Sequence, residues 1–205
     1  MQKCLIASSN VNKAKEVKEI LKDFNFEVLT TRDIEEELYV IEDADSFAGN
    51  ALLKAKAYHE RYPEYYILAD DSGLMIEALD GRPGIYSARY GGDLSYPEKF
   101  KLIWNELAET TVDPNDWRAK FVCAIVWCEP GVPITEEIDA KIFEGEMHGI
   151  ILDEARGENG FGYDPIFYLP EYGKTNAEIS PEEKNKISHR GRALAMLQNY
   201  LKNKN

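Results

Sequence analysis

The chain has 205 residues, 44% of them hydrophobic and 11% aromatic, so it can bury a sizeable core as one domain or as two lobes around a cleft. Its 24 basic and 37 acidic residues give a net charge of −13, which disfavours nucleic-acid backbones and anionic membrane surfaces as partners. No apolar run approaches the roughly 20 residues of a transmembrane helix and no apolar leader follows Met1, so we predict a cytoplasmic protein.

The first predicted elements are a strand over residues 4–7, a polar turn at Ser8-Ser9-Asn10 and a helix. The helix carries apolar residues at helical spacing, namely Ala14, Val17, Ile20, Leu21 and Phe24. Such a turn points backbone N–H groups and the positive end of the helix dipole at one spot, where an anion can bind under Lys13. Capping of the helix by serine or asparagine explains the same pattern, and the turn lacks the glycines of a Walker site.

The second helix is predicted to follow a group of acids that includes Glu42. Its buried side would carry four residues, namely Phe47, Ala51, Ala55 and Tyr58. Asn50 and Lys54 are four residues apart, so they share a face of this helix and can point at the same ligand. The acidic run over residues 33–37 is interpreted as a solvated face.

A short apolar run over residues 67–69 ends in Asp70, Asp71, Ser72 and Gly73, which predicts a buried strand that stops there and presents carboxylates at its tip. Because neighbouring side chains on an extended chain point to opposite faces, the two aspartates should have different roles. These four residues are also ordinary turn formers, so a plain polar turn is the alternative.

The middle of the chain is interpreted mainly as core. A helix is predicted with three inner residues, Phe100, Ile103 and Leu107. Residues 121–128 are apolar on both faces, which predicts a central strand covered on two sides, and residues 138–142 alternate like a strand with one wet face. The cysteines, Cys4, Cys123 and Cys128, lack metal-ligand spacing and are predicted to be reduced and buried.

The last part of the chain contains a glycine-rich stretch and a group of cationic side chains. Glycines around Phe161 allow close backbone approach, and the ring can stack on a planar heterocycle or pack under its own loop. A capping box at Ser180 starts a short helix with Lys184, and His189 and Arg190 follow near a helix junction. Three donors together favour a ligand rich in carbonyl or phosphate oxygens.

Taken together, these motifs resemble the inosine triphosphate pyrophosphatases, a family that clears non-standard purine nucleoside triphosphates. The resemblance covers nearly the whole chain and rests on residues 8–13, Phe47 with Asn50-Ala51 and Lys54, residues 69–74, 83–90 and 160–165, and Lys184-Asn185 with Ser188-His189-Arg190. One departure is Ala44-Asp45-Ser46 ahead of Phe47, where the family more often has a glycine and a threonine.

The resemblance implies an α/β fold that is elongated and two-lobed, with a central mixed β-sheet flanked by helices and a substrate cleft between the lobes. A single pyrophosphatase domain would span residues 1–205. The implied enzyme is a homodimer that uses Mg2+, with Mn2+ as a substitute, to hydrolyse ITP, dITP and XTP to the monophosphate and pyrophosphate. Their bases carry an acceptor oxygen at the 6-position where adenine has a donor amine, so a pocket of donors favours them.

The resemblance also assigns roles by position. Asp71 is the catalytic base, and Glu42 and Asp71 hold the metal; the departure before Phe47 leaves Asp43 and Asp45 as alternatives to Glu42. Substrate binding is assigned to Ser8, Ser9, Asn10, Val11, Asn12, Lys13, Lys54, Ser72, Phe161, Gly162, Tyr163, Asp164, Lys184, His189 and Arg190. Residues 8–13 and Lys54 would hold the triphosphate. Ser72 would touch the substrate. Phe161 would stack on the base, and its recognition would be set by Gly162 to Asp164, Lys184, His189 and Arg190.

Two other functions fit part of the pattern. A related pyrophosphatase of the septum-inhibitor type acts on modified pyrimidine nucleotides, but a purine-sized pocket under Phe161 argues against it. A nucleotide sensor without catalysis would place Glu42 and Asp71 beside a triphosphate, which is a costly pair of acids unless a metal lies between them.

Overall fold

A computed structural model describes residues 1–35, 38–132, 134 and 140–204 of the chain. Its helices are α1 (Val11–Leu21), α2 (Phe47–Arg61), α3 (Tyr96–Ala108), α4 (Pro181–Ile187) and α5 (His189–Lys204). Its strands are β1 (Gln2–Ile6), β2 (Phe26–Thr30), β3 (Tyr66–Ile76), β4 (Arg118–Cys128), β5 (Lys141–Ile151), β6 (Phe167–Leu169) and β7 (Lys174–Thr175). Glu36, Glu37, Ile138 and Asp139, which belong to the predicted acidic face and to a predicted strand, lie outside the described residues.

The strands form a sheet in the order β2-β1-β3-β4-β5-β6-β7. β1 pairs in parallel with β2 and β3, whereas β6 pairs antiparallel with β5 and β7. This mixed sheet flanked by helices confirms the predicted α/β class. In the part of the chain that the structure describes, no helix is both long and apolar enough to span a bilayer.

The chain divides into two compact units. The first comprises Met1–Asp71, Cys123–Gly145 and Arg190–Asn205, and the second comprises Ser72–Val122 and Glu146–His189. Each unit has its own buried apolar side chains, and each holds some of the residues to which the sequence assigned a role.

In the first unit, successive side chains of the strands belong to two different cores. Ile6, Leu68 and Ile125 pack with residues of α1 and α5, such as Val17 and Leu194. The neighbouring residues Leu5, Ile67 and Val126 pack instead with Ala51 and Tyr58 of α2. This alternation is the period-two geometry of an extended chain, with apolar cover on both faces. The prediction that residues 121–128 form a doubly covered strand is therefore confirmed for the β4 residues of this unit.

Strand β3 runs unbroken from Tyr66 to Ile76, so the prediction that it stops at the aspartates was wrong, and so was the alternative of a polar turn. Aspartate and glycine normally disfavour strand interiors. Here Asp70 and Asp71 are only 1% and 8% exposed, and partners from three helices replace water around their carboxylates. Partners supplied by distant segments therefore override the local preference for a turn.

The second unit has a single large core. Phe100, Ile103 and Leu107 of α3 are all buried there with Leu74 and Ile76 of β3, as the helical spacing predicted.

The three cysteines, Cys4, Cys123 and Cys128, are free and buried, which confirms the prediction made for them from the sequence. Burial raises the pKa of each thiol to about 12, so they remain protonated and unreactive at neutral pH.

Candidate active site

The turn that enters α1 combines a helix cap with exposed polar groups. Asn10 caps the helix, because its side-chain oxygen accepts from the backbone N–H groups of Asn12 at 3.0 Å and Lys13 at 3.3 Å. The hydroxyl of Ser8 in turn accepts from the N–H of Asn10 at 3.3 Å. The capping interpretation is thus confirmed, and it leaves the exposed side chains of Ser9 and Asn12 for contact with a ligand. Val11 is the first residue of the helix and is also exposed.

Asp70 lies at the centre of a buried charge network on the α1–α5 face of β3. Its Oδ2 is 3.0 Å from the ammonium of Lys13 and accepts from Nε and Nη2 of Arg190 at 3.2 Å each. Nη1 of Arg190 donates to Glu16, which lies one helical turn after Lys13. Burial alone would raise the pKa of Asp70, but the charges of Lys13 and Arg190 outweigh it and hold that pKa well below its usual range.

Asp71 points the other way and contacts the helix α2. Asn50 donates to its Oδ2 at 3.2 Å, and the ammonium of Lys54 lies 3.9 Å from its Oδ1. The same ammonium is 2.9 Å from Oε2 of Glu42. Burial raises the pKa of Asp71 above its ordinary value, although Lys54 and Lys13 oppose that shift. Asn50 and Lys54 thus lie on one face of α2, as their spacing predicted, and contact with a common ligand stays a prediction.

Glu42 belongs to an extended segment whose side chains alternate between inside and outside. Leu38, Glu42 and Ala44 are partly covered, whereas Asp43 and Asp45 are exposed. The N–H of Ala44 donates to Oδ1 of Asn50 at 3.0 Å, which ties the segment to α2. Of the three acids that the sequence left open, Glu42 is therefore the one whose carboxylate shares Lys54 with Asp71.

These two carboxylates have the chemistry that a hard divalent cation requires. Oε2 of Glu42 and Oδ1 of Asp71 both lie within 4 Å of the ammonium nitrogen of Lys54, so both oxygens can approach a common positive charge. No group of three or more acids, histidines or cysteines suited to a metal occurs within the described ranges. Mg2+ commonly takes one or two carboxylates and completes its octahedron with water and substrate phosphates, which this donor set permits.

In the second unit, the loop before β6 is organised by the carboxylate of Asp164. Its Oδ2 accepts from the N–H of Phe161 at 2.7 Å and from the ammonium of Lys184 at 2.6 Å, and its Oδ1 accepts from Asn176 at 3.2 Å. Gly160 has a φ of +76°, and a Cβ there would lie 2.2 Å from Oδ2 of Asp164. Only glycine fits at this position, so the glycine serves the carboxylate that organises the loop.

The aromatic rings of this loop have different environments. Phe161 is half-buried, and the ammonium of Lys184 lies 4.8 Å from its ring centroid, a cation–π distance. Tyr163 is 3% exposed and donates its hydroxyl to the carbonyl of Ser87 at 2.8 Å, so its ring belongs to the core. Gly162 between them is half-buried. Phe161 is therefore a side chain of this loop whose ring can present a face to a ligand.

The three donors at the helix junction have separate partners. Lys184 of α4 pairs with Asp164, whereas the ring of His189 stacks on Phe121 with centroids 4.9 Å apart. Arg190 belongs to the first unit, where its guanidinium contacts Asp70 and Glu16. Ser72 is the first residue of the second unit and is half-buried in β3.

Two polar residues of these networks were not identified from the sequence. Glu16 had a detectable signal, because it lies three residues after Lys13 and so shares its face of the helix. Asn176 had none, since its partner Asp164 is twelve residues away across a loop.

Comparison with known proteins identifies one family, which matches nearly the whole length of the chain. The model of the Ham1 family matches residues 4–200. A dITP/XTP pyrophosphatase of Clostridium perfringens is 41% identical and covers 98% of each chain, and one of Aquifex aeolicus is 45% identical and covers 98% of this chain and 97% of its own. The solved structure of the Staphylococcus aureus Ham1 protein is 40% identical, covers both chains fully and superposes with a TM-score of 0.85.

Proposed function

Since this chain belongs to the Ham1 family, we propose that it hydrolyses non-standard purine nucleoside triphosphates such as ITP, dITP and XTP to the nucleoside monophosphate and pyrophosphate. The observation that carries the proposal is the arrangement of Lys13 and Lys54 on opposite faces of β3, each beside an aspartate of that strand. Two ammonium groups and two adjacent carboxylates are the groups that triphosphate chemistry requires.

The triphosphate would be held by the first unit. Its negative charges need local cations in a protein of net charge −13, and Lys13 and Lys54 supply them. The exposed polar side chains at the N-terminus of α1, Ser9 and Asn12, add hydrogen-bond donors near the positive end of the helix dipole. Phosphate oxygens would accept hydrogen bonds from the two ammonium groups.

Glu42 and Asp71 are the residues proposed to hold Mg2+, or Mn2+ in its place. When bound, the metal would neutralise phosphate charge and lower the pKa of a coordinated water. Asp71 is also proposed to accept a proton from the attacking water, which is the general-base role that the resemblance assigns to it. The water oxygen forms a new bond to one phosphorus of the α–β linkage, the bond from that phosphorus to the bridging oxygen breaks, and the nucleoside monophosphate and pyrophosphate separate.

The base would be recognised by the second unit. Phe161 offers a half-buried ring for stacking, and the N–H donors of Lys184 and His189 match the 6-oxo acceptor of hypoxanthine and xanthine. Adenine presents a donor amine at that position, so these groups would be left without an acceptor. Asp164 would act by orienting Phe161 and Lys184, because its own oxygens already accept from the loop.

We also propose that the protein is a homodimer of the cytoplasm, on the basis of the resemblance described above. Light scattering coupled to size-exclusion chromatography measures the assembly directly. A mass near twice the 23.4 kDa of one chain supports the dimer, and a mass of one chain overturns it.

Incubation of the purified protein with dITP and Mg2+, followed by separation of the products, tests the activity. Formation of dIMP and pyrophosphate is expected, with much slower release of dAMP from dATP. Release of single phosphates, or hydrolysis only of modified pyrimidine nucleotides, would contradict the proposal. Asp71→Asn, prepared in parallel, controls for contaminating phosphatases.

A further inference from the structure

Lys54 occupies a central place between the two carboxylates proposed to bind the metal. Its ammonium is 2.9 Å from Glu42 and 3.9 Å from Asp71, and its side chain is only 13% exposed. One positive charge is therefore shared by two negative charges, and the side chain of Asp71 is 12% exposed while that of Glu42 is 31% exposed. The attraction is stronger where water is excluded, so it should be greater on the side of Asp71. The lysine is the internal counter-ion of this acid pair.

The same oxygens cannot serve an ammonium and a divalent cation in the same geometry. Mg2+ binds carboxylate oxygens at about 2.0–2.1 Å, and a second cation in contact with those oxygens would be strongly repelled. Lysine has a flexible four-carbon stem, so its ammonium can move by several ångströms without any change of the backbone. The lysine and the metal are thus competitors for one position.

Asn50 connects Asp71 to the segment that carries Glu42. It is fully buried, donates to Asp71 at 3.2 Å and accepts from the N–H of Ala44, two residues after Glu42. Asn50 lies one turn before Lys54 on α2, so one helix carries both the buried amide and the lysine. Asn50 therefore positions the carboxylate of Asp71 directly and holds the backbone two residues after Glu42.

We propose that Lys54 is an exchangeable counter-ion that excludes free divalent metal from Glu42 and Asp71 and transfers to the phosphates when metal and nucleotide bind together. The proposal rests on the proposed function, because it takes the metal ligands from it. Reciprocal linkage then makes the metal alone bind weakly and makes metal and triphosphate raise each other's affinity. The enzyme would select the metal–nucleotide complex and would bind little free metal.

A titration of the full-length protein with Mn2+ in the absence of nucleotide tests this directly. The electron paramagnetic resonance signal of free Mn2+ measures how much metal remains unbound. Lys54→Met should bind Mn2+ at least about tenfold more tightly than wild type, the scale of removing a unit charge close to the site. Lys56→Met is the matched control, because it removes the same charge from the same helix two residues away and should bind like wild type. Equal affinities of Lys54→Met and Lys56→Met would overturn the proposal.

Two further variants guard against a folding artefact. Lys54→Gln tests the same loss of charge with a polar side chain and should also bind Mn2+ more tightly. Lys54→Arg keeps the charge and should stay close to wild type; tight binding by this variant would overturn the counter-ion role. Hydrolysis of dITP by the wild-type protein is measured in a separate assay and tests the proposed function. The two results are independent, since the metal titration contains no nucleotide.

Discussion

Arg190→Ala distinguishes two roles for one arginine. The sequence predicts that Arg190 recognises the base edge with Lys184, and that role stays a prediction. The structure places its guanidinium on Asp70 and Glu16, with Arg190 and Asp70 only 2% and 1% exposed. From these contacts we expect Arg190 to act through the fold and through the position of Lys13, which shares Asp70.

The expected size follows from the burial of the pair. Removing one partner of a buried ion pair typically costs about 3–5 kcal/mol, and because Lys13 still compensates Asp70 we expect the lower end, about 3 kcal/mol. For a chain of this length, that loss lowers the melting temperature by roughly 6–12 °C. Turnover of dITP and dATP should fall by the same factor, because Arg190 lies outside the group of residues, Phe161, Lys184 and His189, proposed to recognise the base.

The effect should also depend on pH in a defined direction. The pKa of Asp70 is lowered in the folded state, so its contribution to stability is fully present above about pH 4, the pKa of an unfolded aspartate, and is lost as the pH falls. The difference in unfolding free energy between wild type and Arg190→Ala should therefore be largest near neutral pH and shrink below about pH 4.

Urea unfolding at several pH values and kcat/KM for both substrates provide the assay. Arg192→Ala is the control, because Arg192 is exposed on the same helix and its removal should leave stability nearly unchanged. A stable Arg190→Ala that loses activity only towards dITP would refute the charge-network reasoning and support recognition of the base.

Three further outcomes are expected. Asp71→Asn should still bind nucleotide in a calorimetric titration but lose about 10²–10⁴-fold in kcat; retained turnover would exclude Asp71 as the base. Asp164→Ala should lose about 3–5 kcal/mol of stability in urea, because it strands the buried ammonium of Lys184, and an unchanged midpoint would contradict that pairing. EDTA should abolish dITP hydrolysis and added Mg2+ or Mn2+ should restore it, whereas full activity in EDTA would remove the metal from the proposal.

Local patterns predicted the parts of this fold that depend on local physics. Period-two alternation correctly separated Asp70 from Asp71, and helical spacing correctly put Asn50 and Lys54 on one face. The continuation of β3 through the aspartates was not predictable in this way. It depends on Arg190, 120 residues later in the chain, and on cations that replace water around buried acids.

Asp70 and Asp71 face opposite sides of β3, and this also restricts how the chain can change in length. Because their separation depends on the parity of a strand, deleting one residue from β3 ahead of them would exchange their faces and present each carboxylate to the other's partners. Deleting two would preserve the orientation and shift only the position along the strand. Natural or engineered length changes should therefore be confined to the loops at either end of β3, where parity has no meaning.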